Sequence, residues 1–146
     1  MRPLLLLLLL ALPFATLADA PTSCPGIRAI RALPQGVFTA PLGDSDISGE
    51  WLGIGRPGAL PEAFSHVLIL QHDAGVTHTG VFNGCNYTMS DGSELKLRPA
   101  PAAPVSQFAS IVDTTHWARD GANWLYCSGT DPRQCRFALH HAAPTR

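Results

Sequence analysis

Tyr87-Thr88-Met89-Ser90-Asp91-Gly92-Ser93-Glu94-Leu95-Lys96-Leu97 is the stretch whose reading decides the fold. An Asp-Gly pair between two alternating apolar and polar segments signals a β-hairpin, because glycine takes positive φ without steric cost and Asp bonds the backbone two residues on. The segments on either side of it continue the pattern. Glycine and proline each occur 13 times in 146 residues, and no window of helix length keeps apolar residues at helical spacing without a breaker inside it. Short apolar or alternating runs bounded by turn residues predict an all-β chain, a small antiparallel sandwich or barrel. Strands are expected at Ile27–Arg31, Gly36–Ala40, Glu50–Ile54, His66–His72, Thr79–Met89, Glu94–Arg98, Phe108–Asp113, Asn123–Cys127 and Arg136–His140. Val67 to Leu70 is apolar at four consecutive positions, which predicts a strand covered on both faces in the middle of the sheet. Residues 99–104, Pro-Ala-Pro-Ala-Ala-Pro, predict an extended connection within the domain.

The amino-terminal end sets the compartment. Arg2, the leucine run from Leu4 to Leu10 and the small residues around Ala18 read as an export signal over residues 1–18. The stretch from Leu4 to Leu17 is too short, and is broken by Pro13, for a membrane span of about 18 or more apolar residues. The reading predicts a periplasmic or secreted protein with no membrane span and one disulfide-bonded β domain over residues 19–146. Removing the leader takes only Arg2 from ten basic residues, leaving nine against eleven acidic ones. That balance gives no electrostatic drive toward nucleic acid.

Cys24, Cys85, Cys127 and Cys135 then fall in an oxidising environment and predict two disulfides. Four cysteines allow three connectivities. Cys127 lies on the Leu125 side of its strand and Cys135 on the Phe137 and Leu139 side of the next. A hairpin turning through Ser128 to Pro132 would bring the two within bonding distance. That favours Cys127–Cys135 with Cys24–Cys85, although the nested pairs Cys24–Cys135 and Cys85–Cys127 have similar loop-closure entropies.

No catalytic, cofactor or metal set is assigned. The six histidines lack metal-ligand spacing: His66 and His72 on one strand would stand about 20 Å apart at roughly 3.3 Å per residue. A turn could gather His72, Asp73 and His78, and this is the metal-binding alternative. Nothing matches a G-x-S-x-G elbow. Glu50, Glu62, Asp73 and Glu94 could pair for glycoside cleavage only through their arrangement in space. Trp51, Trp117, Trp124 and Tyr126 could build a contact surface. Trp124 and Tyr126 lie on the strand face opposite Leu125 and Cys127, so they are the residues expected to form a binding surface. Asn86-Tyr87-Thr88 has the form of a glycosylation sequon, set aside because leader and composition look bacterial.

The order of these features carries a resemblance. Cys24-Pro25 follows the leader, then come Phe38-Thr39-Ala40, Trp51 with Gly53, and Phe64 before an apolar strand. Cys85-Asn86-Tyr87 precedes Ser90-Asp91-Gly92 and a strand to Leu97, and Trp124 to Cys127 precedes Cys135-Arg136-Phe137. The layout resembles a family of small exported proteobacterial proteins, with an N-terminal Cys-Pro and four cysteines, defined only as a domain of unknown function. Ser65-His66 departs from that pattern, where small residues are usual. The resemblance implies an exported, disulfide-bonded β domain and transfers no catalytic residue. The functional expectation is a non-enzymatic binding module presenting a β-sheet surface to a protein or a cell-envelope glycan, of inhibitor, immunity or virulence-accessory type. The alternative is a small secreted hydrolase whose site assembles only in three dimensions, with His66, His72 or His116 as base.

Overall fold

The structure, a computed structural model, describes residues 21–43, 49–71, 78–100, 107–121 and 123–140. The export signal, His72, Asp73, His141 and most of the proline-rich connection lie outside them. Eleven strands run in chain order among the described residues. They are β1 (Pro21–Thr22), β2 (Arg31–Leu33), β3 (Val37–Pro41), β4 (Glu50–Ile54), β5 (Pro61–Leu70), β6 (Thr79–Met89), β7 (Glu94–Ala100), β8 (Phe108–Ile111), β9 (Trp117–Asp120), β10 (Trp124–Ser128) and β11 (Phe137–His140). The fold is all-β, a curled antiparallel sheet in the form of a half-barrel with two disulfides, Cys24–Cys85 and Cys127–Cys135.

The β6–β7 hairpin forms where Asp91-Gly92 predicts it. The Gly92 amide donates to the Met89 carbonyl, the Met89 amide to the Ser93 carbonyl, and the Ser93 amide to the Asp91 carboxylate. Gly92 sits at φ 80°, the left-handed position that closes a three-residue hairpin loop.

β6 is the hub. One edge pairs with β5, while the other pairs with β8 over Thr79–Val81 and with β7 over Cys85–Thr88. From β8 the sheet runs on through β11 to β1, from β7 through β4 and β3 to β2, and from β5 through β10 to β9. The change of partner needs a bend, and the bend is at Asn83-Gly84. Register slips there against Leu68 and Ile69, and Gly84 takes φ 148°. A Cβ on Gly84 would stand 2.7 Å from the Lys96 side chain, so only glycine fits. Inward-facing residues accordingly switch from Gly80 and Phe82 to Cys85, Tyr87 and Met89. β5 makes a matching switch, from Phe64 to Val67 and Ile69, at the irregularity between Phe64 and His66.

The enclosed side holds the core. Trp51 packs 5.8 Å from Phe82 and 6.5 Å from Phe137, and Phe64 lies 5.7 Å from Tyr87. Tyr87 donates its hydroxyl to the Pro25 carbonyl at 2.7 Å, and burial pushes its phenol pKa far upward. It anchors the amino-terminal segment to the core.

Several expected elements are corrected. Ile27–Arg31 is not a strand: Ile27–Ala29 is a 3₁₀ turn, followed by β2. Ile27 and Ile30 both pack on the core, and a spacing of three suits a 3₁₀ turn, not a strand. β5 starts at Pro61, because proline is tolerated at a first strand position. β5 does lie between two strands, but among the described residues its second face is only partly covered, since Leu68 is half-buried and Leu70 is 36% exposed. β9 was not expected. The disulfide pairs are the favoured ones, but β10 and β11 form no hairpin: β10 pairs with β5 and β9, and β11 with β8 and β1. Cys135 instead follows a 3₁₀ turn at Pro132–Gln134, capped by the Asp131 side chain, that folds back toward Cys127.

Candidate binding surfaces

Antiparallel pairing lines up residues across the sheet, and two adjacent rows define two surfaces. The inward row runs Trp117, Cys127, Val67, Cys85, Leu97. Both disulfides therefore start from one row, on either side of Val67. Cys85 pins the segment around Cys24, and Cys127 pins the turn around Cys135. These two pinned segments wall an open groove of about 830 Å³ at that end of the sheet. Leu42, Trp51 and Phe64 supply its apolar floor, and Arg28, Arg133 and Arg136 its cationic groups. Asp131 binds Arg133 in a fork, with Nε at 3.0 Å from both carboxylate oxygens and Nη2 at 2.6 Å from one. These bonds from Arg133 hold the Asp131 carboxyl below the usual carboxylate range.

The neighbouring outward row runs Ser128, His66, Asn86, Lys96. Trp124 and Tyr126 lie on this outer side, half-buried, while Leu125 and Cys127 face in. Across the β5–β10 pair Trp124 stands opposite Leu70 and Tyr126 opposite Leu68. The Tyr126 ring lies 5.3 Å from the His66 ring, the planes tilted by 31°. Burial lowers the His66 pKa from 6.5, Glu94 pulls it up and Lys96 pushes it down again. Asn86 is fully buried in this row. Its Nδ2 donates to the His66 and Gly84 carbonyls at 3.4 Å, and its Oδ1 has no partner among the described residues. In the folded chain the sequon asparagine is closed to modification.

A family model described as a protein of unknown function, DUF3757, matches residues 18–138. The chain belongs to that family. No curated protein and no solved structure matches it. The DUF3757 match takes in both cysteine pairs, the groove walls and the β5–β10 outer face.

The remaining sequence candidates separate. Trp51 is core, 1% exposed, and Trp117 packs half-buried against the core. The Glu50 carboxylate accepts from the Thr39 hydroxyl. The described residues bring no three histidine, cysteine or acidic side chains together. Two serine–imidazole pairs do form: Ser65 Oγ lies 2.8 Å from His66 Nδ1, and Ser110 Oγ 2.8 Å from His140 Nε2 and 2.8 Å from Thr79 Oγ1. Neither pair lines the groove. No helix of the described residues is long and apolar enough to cross a membrane.

Sequence reasoning missed the groove. Its walls come from residues around 24, 42 and 131, with no local motif among them. It also missed the His66–Tyr126 stack, which only the β5–β10 register reveals. β9 had a readable signal, a second Asp-Gly pair at Asp120-Gly121 between Trp117 and Trp124, where Gly121 takes φ 67°.

Proposed function

We propose that this protein is an exported, non-enzymatic binding module of the periplasm or the extracellular space, delivered by the leader at residues 1–18. It presents the outer face of β5 and β10 to another protein or to a cell-envelope glycan. The observation that carries this reading is the partial exposure, on the outer sheet face, of Trp124, Tyr126 stacked on His66, and the aliphatic pair Leu68 and Leu70. A sheet face with solvent beside it normally carries polar residues. Rigid amphipathic rings are the side chains that dominate recognition energetics, and here Tyr126 stands mid-strand with Trp124 at the end of the pair. Two disulfides suit such a module, since they persist where thiols oxidise.

The test is co-sedimentation of the oxidised protein with purified cell-envelope glycan and capture of envelope proteins on the immobilised protein, each run beside W124A/Y126A. Central aromatic anchors are worth about 2 kcal/mol or more, so the double variant should lose about thirtyfold or more in affinity. Undiminished binding by that variant would remove this face from the function.

A second reading, a small secreted hydrolase, has one specific observation in its favour: the Ser110–His140 hydrogen bond is of the kind that activates a serine nucleophile. A fluorophosphonate probe decides it. Labelling that disappears in S110A supports the hydrolase, and an unlabelled native protein rejects it.

A further inference from the structure

The groove at the disulfide-pinned end opens from the inward side of the sheet, away from Trp124 and Tyr126, and the charge of its described residues runs against that of the whole chain. The chain carries a net charge of −1, yet among the described residues the groove is lined by three arginines and a single carboxylate. That carboxylate, Asp131, is already taken by Arg133 through both of its oxygens. Arg28 makes no ion pair or side-chain hydrogen bond among the described residues, and Arg136 acts only through space on Asp113. Two guanidinium groups are thus left over a floor of Leu42, Trp51 and Phe64.

The geometry points to an extended acidic peptide segment of a partner protein as the occupant of this groove. Guanidinium forks match carboxylates bidentately, and Arg133 with Asp131 already makes that arrangement within the groove. The volume lies within the range of built ligand clefts. β1 borders the groove and pairs only with β11, so one side of its backbone has no strand beside it among the described residues. β1 is only Pro21–Thr22 and proline has no N–H, so this edge offers an extended chain at most the Thr22 amide and two carbonyls, and the arginines and the apolar floor supply the other contacts. Because both walls are held by disulfides, the site is formed before the ligand arrives, which lowers the ordering cost of binding.

The test uses the oxidised protein and a fluorescein-labelled peptide of alternating valine and glutamate, read by polarisation. Beside it run the same peptide with lysine in place of glutamate, and vesicles of phosphatidylglycerol. The acidic peptide should bind and the lysine peptide should not. R28Q/R136Q should weaken binding about fivefold, the sum of two partly screened ion pairs, with its melting curve unchanged because both arginines are exposed. Raising salt until the Debye length falls from about 10 Å to about 3 Å should weaken binding further. Y126A should bind the peptide as the native protein does, which separates this site from the outer face. Equal binding of the two peptides, no binding of the acidic one, undiminished binding by R28Q/R136Q, or uptake by the vesicles alone would each overturn the assignment.

Discussion

The pinned end of the sheet and the outer face of β5 and β10 are built from neighbouring rows of the same strands, yet they are held by different forces. At the pinned end, Cys85 and Cys127 reach out of the sheet to fix two segments that have little pairing of their own. Those segments hold only the two-residue β1 and short 3₁₀ turns. On the outer face every side chain stands on a strand paired on both sides, and no covalent link is involved. A contact surface on paired strands inherits its shape from the ladder, whereas one on loosely paired chain needs a staple. The difference predicts that losing the disulfides will damage the groove first and the outer face last.

The largest effect should come from C24A/C85A. The bridge spans 61 residues, and its loop-closure entropy corresponds to about 4 kcal/mol. Urea unfolding should show that loss, and the acidic peptide should lose its site even at temperatures where the sheet stays folded. The 8-residue bridge removed in C127A/C135A should cost about 2 to 3 kcal/mol. If the two pairs of substitutions proved equal, the entropic account of the staples would fail. If groove binding survived C24A/C85A, the Cys24 wall would hold its shape without the bridge.

Tyr87 separates covalent from hydrogen-bonded anchoring of the same wall. Y87F keeps the ring against Phe64 but strands the Pro25 carbonyl that its hydroxyl bonds. A buried acceptor without its donor costs about 1 to 3 kcal/mol. The urea midpoint should fall accordingly, and the peptide affinity with it if the Pro25 backbone shifts. A midpoint unmoved by Y87F would show that the disulfide alone positions this segment.

How much of this was legible depends on how local the cause is. The β6–β7 hairpin could be read because one requirement, positive φ at Gly92, sits inside the turn itself. The strand at Glu50–Ile54 could be read because its alternation is unbroken, with Trp51 and Gly53 inward. Alternation misleads where a bulge intervenes: at Ser65 and at Asn83-Gly84 the inward face changes parity, and no rule of period two anticipates that from one chain. The disulfide pairing was legible for a reason the structure replaces. A supposed hairpin brought Cys127 to Cys135, whereas a capped turn at Asp131 to Gln134 does so in fact. The three tryptophans look alike in sequence and part in the structure, Trp51 to the core, Trp117 to its margin and Trp124 to the outer face. The groove was illegible because curling of the whole sheet assembles it from distant segments.

The smallest predicted effect belongs to the outer face and turns on His66. Burial lowers its folded-state pKa below 6.5, outweighing the attraction of Glu94, while Lys96 acts in the same sense as burial. The unfolded chain therefore binds a proton at a pH where the folded chain does not, and stability contributed by the neutral ring is lost as pH falls through 6.5 and below. The carboxylates Asp91, Asp113 and Asp131 have pKa values held below 3.8 by their own hydrogen bonds, so they do not titrate in this window. Urea midpoints measured above and below pH 6.5 should differ more in the native protein than in H66Q, which cannot take up the proton. The Tyr126 ring stacked on His66 offers an optical readout, since its fluorescence should shift over the same interval. A native protein whose midpoint and tyrosine signal stay flat there would mean that Glu94 balances the burial of the imidazole. The outer face would then respond to pH no more than the stapled groove does.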